Sequence, residues 1–270
     1  MGSRRVGEAA PAPEPLRVAT VDSHTHLDAL DTPVADAMAA ARAVGIDRVV
    51  TTGDTVASSR WCADAAADHD GLYAAVAVHP NETGDIDEAA YAEIATLTRR
   101  PDVRAVGETG LDYYWEQVAP ERQQEAFRRH IAIAKDAGKA LVIHDRDAHD
   151  DVLRVLREEG APERTVFHCF SGDAVMARLC AEHGYVMSFA GNVTFKNAHE
   201  LREAAAVAPE ELLLVETDAP YLTPMPYRGR PNAPYLVPLT VRCLAEVRGV
   251  DEDDMAAATA ANAARVFGPW

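Results

Sequence analysis

Between Val18 and Val215 one pattern recurs eight times: a short β-prone run gives way to a longer stretch with helical spacing or capping signals. The candidate strands are Val18–Ser23, Arg48–Thr51, Leu72–Val78, Val103–Gly107, Ala140–Ile143, Thr165–Phe167, Tyr185–Ser188 and Leu212–Val215. The clearest helix spans Pro120–Ala137. Pro120 suits its first turn, Phe127, Ile131 and Ala134 recur at helical spacing, and Gly138 suits its stop. Asp147–Glu159 follows the same logic, with Val152, Val155 and Leu156 on one face and Gly160 behind it. Strands that alternate with helices specify a parallel sheet covered by its own crossovers. Eight such units in about 250 residues favour a closed (β/α)8 TIM barrel over an open doubly wound sheet. No GxGxxG turn follows the first strand, which further disfavours the open alternative.

Hydrophobic residues make up 48% of the 270, enough for the large core of such a barrel. No run approaches the roughly 18 to 20 apolar residues of a membrane span, so no membrane partner is expected. Met1–Leu16 is rich in Pro, Ala and charge and lacks an apolar h-region, so it is expected to be a disordered tail rather than a secretory signal. Residues 17–270 then form one barrel domain, because no linker divides them. Pro220–Pro234 is a long Pro-rich loop, and two helices follow it at about Tyr235–Arg248 and Asp251–Phe267. Cys62, Cys169, Cys180 and Cys243 show no paired spacing, which suits reduced thiols and a cytoplasmic location. The formal charge of −17 argues against nucleic-acid binding by the surface at large. Positive charge offered to an anionic substrate must therefore be local. A monomer is the default expectation.

His24 and His26 stand two apart at the end of the first strand, where period two sends both side chains to one face. Two imidazoles so placed can hold a metal ion, although an HxH pair taken alone suits a surface reading as well. Later strand ends carry more donors: Glu108 in Gly107-Glu108-Thr109-Gly110, then His144, His168, and Asp218 in Glu216-Thr217-Asp218. In a barrel these C-terminal ends converge on one mouth, where barrel enzymes keep their active sites. Four imidazoles and two carboxylates there would be costly to bury without cations. They are also the donor types that bind divalent metals. Each one singly is more often a satisfied core histidine or a solvated acid; the metal reading rests on all six falling at strand ends.

DSHTHLD, GETGLDYY, LVIHDRDA, FHCFSG and LLLVETDAPYLTP resemble, in this order, the successive signatures of TatD-family metal-dependent deoxyribonucleases, a branch of the amidohydrolase-like barrels. The resemblance runs from Val18 to the C-terminus. It implies two divalent ions (Mg2+, Mn2+ or Zn2+) bridged by Glu108, one completed by His24, His26 and Asp218, the other by His144 and His168. It implies hydrolysis of phosphodiester bonds in DNA, with RNA as an extension, by a 3′–5′ exonuclease acting on single strands. In one departure, His79-Pro80 is followed by Asn81 where relatives often carry a second histidine. His79 is thus open to two readings, a turn-stabilising group or a phosphate contact.

Two bound cations would supply Lewis-acid charge and make water a stronger nucleophile. Asp218 is expected to orient that water and accept its proton, with Glu108 as the other catalytic carboxylate. Arg146, Lys196, Arg228 and Arg230 are the candidate phosphate donors, with Asn232 and Tyr227 as neutral contacts. Solvated surface groups are the bland alternative for Arg228 and Arg230. Tyr113, Tyr114 and Trp115 offer either base stacking or a packed lid, with packing favoured for at least one. His130, His149, His183 and His199 lie on or beside helical segments and are expected to be surface or capping groups. Cys169 should face the outer helices, and Asp251-Glu252-Asp253-Asp254 suits a helix N-terminus. One rival keeps the metals and changes the bond to an ester or amide, including the D-aminoacyl-tRNA deacylation implicated for related TatD-type proteins. A remoter rival is an inactive metal-binding scaffold, which the full ligand set disfavours.

Overall fold

A computed structural model describes residues 7–270. Its eight strands are β1 Thr20–Thr25, β2 Ile46–Thr52, β3 Leu72–Val76, β4 Val103–Asp112, β5 Ala140–Arg146, β6 Thr165–Phe167, β7 Val186–Phe189 and β8 Leu213–Val215. They pair in parallel in sequence order. Just past β8 the ring closes onto β1, through Asp218 N–H to His24 O at 2.9 Å and His26 N–H to Ala219 O at 2.8 Å. Asp22 adds a side-chain staple at the same seam, accepting from Thr217 N at 2.9 Å and Thr217 Oγ1 at 2.6 Å. The fold is therefore a TIM barrel.

The helices are α1 Val34–Ala43, α2 Val56–Asp68, α3 Glu88–Leu97, α4 Pro120–Ala137, α5 His149–Glu159, α6 Ala174–Glu182, α7 His199–Val207, α8 Val237–Arg248 and α9 Glu252–Phe267. Local chemistry sets several of their ends. Thr55 and Ser58 form a reciprocal capping box at the start of α2, and Asp173 Oδ1 accepts from Val175 N and Met176 N to open α6. Gly138 ends α4 in a left-handed conformation at φ 62°. Asp251 caps α9 by accepting from Asp253 N at 2.8 Å, so the acidic cluster lies in a helix N-terminal turn.

The core has two parts. Val50, Ala75, Ala105, Val142, Val166, Val186 and Leu214 alternate inward and fill the barrel with small and branched side chains. The larger part lies between strands and helices, around Phe127, Ile131, Leu156, Phe167 and Leu244. At the end away from the strand C-termini, Ala263, Val266 and Phe267 of α9 join the interior cluster. Asn262 Nδ2 there donates to Leu213 O at 2.9 Å, and Thr259 Oγ1 meets Thr20 Oγ1 at 2.8 Å. One end of the barrel is thus plugged, and chemistry is left to the other.

Most strand boundaries lie within two residues of expectation, and the larger differences are at β4, β5 and the N-terminal segment. β4 and β5 run on to Asp112 and Arg146, well past Gly107 and Ile143, because they stay paired across Thr109–Asp112 and Ile143–Arg146. The expected disordered tail also falls differently. Its first part, residues 1–6, lies outside the described residues, but residues 9–16 pack against the barrel. Leu16 and Ala10 are buried, Leu16 N–H donates to Val44 O, and Tyr235 Oη and Arg242 Nη2 bond the carbonyls of Ala10 and Glu14. An apolar Leu16 beside a carbonyl-seeking Arg and Tyr gains more by docking than chain freedom opposes.

Candidate metal centre

The strand ends bring His24, His26, Glu108, His144, His168 and Asp218 to one mouth. Period two explains the inward aim of His24 and His26 on β1, where Asp22 is a third member of the face. Glyines on β4 explain the rest. A Cβ at Gly107 would meet Val142 Cβ at 2.5 Å, and one at Gly110, whose φ is 140°, would collide with His144 O. Only glycine allows β4 to lie this close to β5, and that approach carries Glu108 against His144.

Glu108 stands at the middle. Its Oε2 contacts His168 Nε2 and lies 3.3 Å from His144 Nδ1 and 3.8 Å from His24 Nε2. Its Oε1 faces His26 Nε2 at 3.7 Å and His79 Nε2 at 3.9 Å. Asp218 Oδ1 closes the far side, 3.5 Å from His26 Nε2 and 3.9 Å from His24 Nε2. The sets His24–His26–Glu108, His24–His168–Asp218, Glu108–His144–His168 and His79–Asp112–His144 each place donor atoms within 4.8 Å of one another.

These donors fit divalent cations on three counts. His24 Nε2 and His26 Nε2 lie 3.3 Å apart, close enough for one proton or one cation to be shared between them. The nitrogens turned away from the cluster have acceptor partners, as metal-bound histidines do. His26 Nδ1 reaches Thr52 O at 3.0 Å, His144 Nε2 reaches Asp112 Oδ2 at 3.0 Å, and His168 Nδ1 reaches Glu216 Oε1 at 3.3 Å. His24 is the exception, with a buried Nδ1 that has no hydrogen-bond partner among the described residues. Thirdly, the carboxylates must find positive charge. Burial opposes ionisation of Glu108, yet His168 and His144 hold its carboxyl well below the usual range. Burial likewise opposes charge on His144, but with no cation bound Asp112 and Glu108 lift it to about 9, so a metal ion there would take the place of that proton.

Residues 21–268 match the family described as TatD related DNase. The chain belongs to the TatD family. It is 49% identical over 257 residues to the uncharacterized metal-dependent hydrolase TatD of Mycobacterium tuberculosis, covering 92% of this chain and 97% of that one. It is 34% identical over 240 residues to the 3′-5′ ssDNA/RNA exonuclease TatD of Klebsiella pneumoniae, covering 86% and 91%. The crystal structure of YjjV, a TatD homolog from Escherichia coli, superposes with a TM-score of 0.87 at 27% identity, over 93% of this chain and 98% of that one. The chain is thus a metal-dependent hydrolase of the TatD family.

Around this TatD centre the structure adds groups that the linear reading passed over. Asp112 lies on the same β4 face as Glu108 and bonds His144, Asn81 Nδ2 and the amides of Tyr114 and Trp115. Period two from Glu108 through Gly110 to Asp112 was the available signal, hidden by ending the strand at Gly107. Glu216 is fully buried and accepts from Cys169 N at 2.7 Å beside its bond to His168. Asp54 Oδ1 lies 3.5 Å from His26 Nδ1. His79 takes its turn-stabilising role, Nδ1 accepting Asn81 N–H at 3.1 Å, while its Nε2 faces Glu108 Oε1 at 3.9 Å.

The expected substrate contacts divide. Arg146 is exposed at the end of β5, with its guanidinium 3.9 Å from the Tyr114 ring. Lys196 is exposed, and Arg228 lies over the neighbouring Phe195 ring at 4.3 Å. Arg230 is directed elsewhere, donating to Ala9 O at 3.1 Å. Asn232 is buried and braces the eighth loop through Thr217 O and Tyr221 O, so it is a structural group and not a surface contact. Tyr113 is packed, its hydroxyl bonded to Asp151 and Gln124, while Tyr114 and Trp115 remain exposed. His183 and His199 are exposed, and His149 opens α5 paired with Asp145. His130 is fully buried, contrary to its surface assignment. Cys169 lies just past β6 with a left-handed backbone at φ 42°, and burial, joined by Asp218, Glu216 and Glu108, raises its thiol well above the usual range.

Proposed function

We propose that this TatD-family hydrolase cleaves phosphodiester bonds of single-stranded nucleic acid, DNA foremost, from the 3′ end, using two divalent ions. The carrying observation is the division of donors around Glu108. Its Oε1 faces His26 and its Oε2 faces His144 and His168, with His24 at 3.8 Å from Oε2 between the two groups, and Asp218 lies on the His24–His26 side. In this reading His24, His26, Glu108 and Asp218 hold one ion, and Glu108, His144 and His168 hold the other. Histidine and carboxylate donors accept Mg2+, Mn2+ or Zn2+. The name of the Klebsiella relative supports the substrate and polarity.

When bound, two such ions supply Lewis-acid charge to the phosphate and to the attacking water. The remaining work falls to side chains. Asp218 would orient that water and take its proton, its side chain being 13% exposed against 6% for Glu108. Glu108 stays ionised and holds the two halves of the centre together. Arg146, Lys196 and Arg228 are free to donate to the anionic substrate, whereas Arg230 reaches it only by leaving Ala9.

The test is digestion of 3′- and 5′-labelled single-stranded DNA by stripped protein reloaded with each metal, with EDTA and Glu108→Ala as controls. Glu108→Ala is expected to lose at least about a hundredfold in rate, and Asp218→Asn a similar factor while metal content is retained. Metal-independent digestion, or Asp218→Asn within about threefold of wild type, would overturn the reading. Faster turnover of D-aminoacyl-tRNA in the same preparation would move the chemistry to a carbonyl centre. A protein that takes up no divalent ion would be a scaffold.

A further inference from the structure

The exposed aromatic pair beside the metal centre is tied to it by a single carboxylate. Asp112 Oδ2 bonds His144 Nε2 at 3.0 Å, while Asp112 Oδ1 accepts from Tyr114 N at 3.0 Å and Trp115 N at 3.2 Å. Gln123 clamps the Asp112 main chain from α4, accepting from its N–H at 2.8 Å and donating to its carbonyl at 2.9 Å. The loop is therefore anchored where it leaves β4, but its rings are not packed away. Tyr114 is 53% and Trp115 45% exposed, although large aromatic groups at a rigid loop base would ordinarily be buried. Their ring planes stand at 89° with centroids 4.9 Å apart, an edge-to-face pair with exposed outer surfaces. Arg146, two residues past His144 on β5, lies 3.9 Å from the Tyr114 ring and 5.8 Å from that of Trp115.

We propose that Tyr114, Trp115 and Arg146 form a subsite for one unpaired nucleobase and its adjoining phosphate, set at a fixed distance from the metal centre by Asp112. This rests on the phosphodiesterase reading and adds a reason for single-strand preference. A planar base stacks on one ring and meets the other edge-on, which a base inside a duplex cannot do. Arg146 holds its guanidinium carbon 3.9 Å from the centre of the Tyr114 ring, and its N–H groups can donate to phosphate oxygens. Tyr113 is excluded from the subsite, because its hydroxyl is committed to Asp151 and Gln124. Base stacking is sequence-tolerant, so little discrimination among the four bases is expected.

The test uses full-length, metal-stripped protein, so that binding is read without turnover. Fluorescence anisotropy measures the affinity for a labelled ten-nucleotide single strand and for an abasic strand of equal length. Tyr114→Ala and Trp115→Ala are each expected to weaken binding of the first about tenfold or more and to leave the abasic strand nearly unchanged. Arg146→Gln is expected to weaken both. Tryptophan emission should be quenched by the normal strand in wild type and not in Trp115→Phe, where Trp61 and Trp270 remain. Equal affinity of wild type for both strands, or unaltered binding by both alanine variants, overturns the subsite. If those variants also digest DNA like wild type, only the subsite falls; if wild type neither binds nor digests DNA, both readings fall.

Discussion

At His130 the hydrogen bonds admit one protonation state. Nδ1–H donates to Ala126 O at 2.8 Å, and Nε2 accepts the Val78 amide at 3.2 Å. A second proton on Nε2 would face the Val78 N–H, and burial pushes the ring down to about 4. The unfolded chain, with a histidine near 6.5, binds more protons between those two values. Stability from this group is therefore complete above about pH 6.5, declines as pH falls toward 4, and is level below it. Wild type should lose about 2 kcal/mol between pH 7.5 and 5 through this group. Urea midpoints at both pH values, compared with His130→Leu, isolate the effect, because the variant is less stable at pH 7.5 but lacks this part of the slope. Parallel pH dependence in both proteins would exclude the assignment. The surface reading of His130 failed because helical position alone does not report which face meets β3 and β4.

Among the elements, β4 decides most of the site. Its two glycines let it press on β5, so that pairing continues to Leu111–Asp145 and Asp112–Arg146 and both strands deliver side chains to the mouth. Gly110→Ala adds a Cβ at φ 140° against the His144 carbonyl. It should lower stability by more than about 1 kcal/mol and displace His144 from Glu108. Thermal unfolding and bound-metal analysis check the two effects separately. Full metal content with an unchanged melting temperature would show that the close approach is dispensable. Glycine is poor in strands as a class, which is why β4 reads as ending at Gly107. Here it marks the contact between two backbones.

At the scale of the whole molecule, the segment before β1 behaves as part of the domain. Leu16 and Ala10 are buried, and Arg230, Tyr235 and Arg242 all bond its carbonyls. A chain that begins at Arg17 should melt on the order of 5 °C lower, from the loss of roughly 2 kcal/mol of apolar burial. An unchanged melting temperature would restore the disordered-tail reading for residues 7–16. The same docking diverts Arg230 from the mouth, so the segment also shapes the local charge. With a formal charge of −17, that balance matters for an anionic substrate. Among the described residues no helix is long and apolar enough to cross a membrane.

The repeat of strand and helix, the inward face of His24 and His26, and a polar donor at each functional strand end follow from periodicities of two and 3.6, which are local and therefore legible in order along the chain. The barrel and the six convergent donors needed little more than those rules. Asp112 had its period-two signal but needed β4 to run past Gly107, and Glu216, His130, the docked N-terminal segment and the orientation of Arg230 depended on which backbones approach each other across the fold. Those approaches follow from side-chain volume and hydrogen-bond satisfaction between residues far apart in sequence, and no local pattern encodes them.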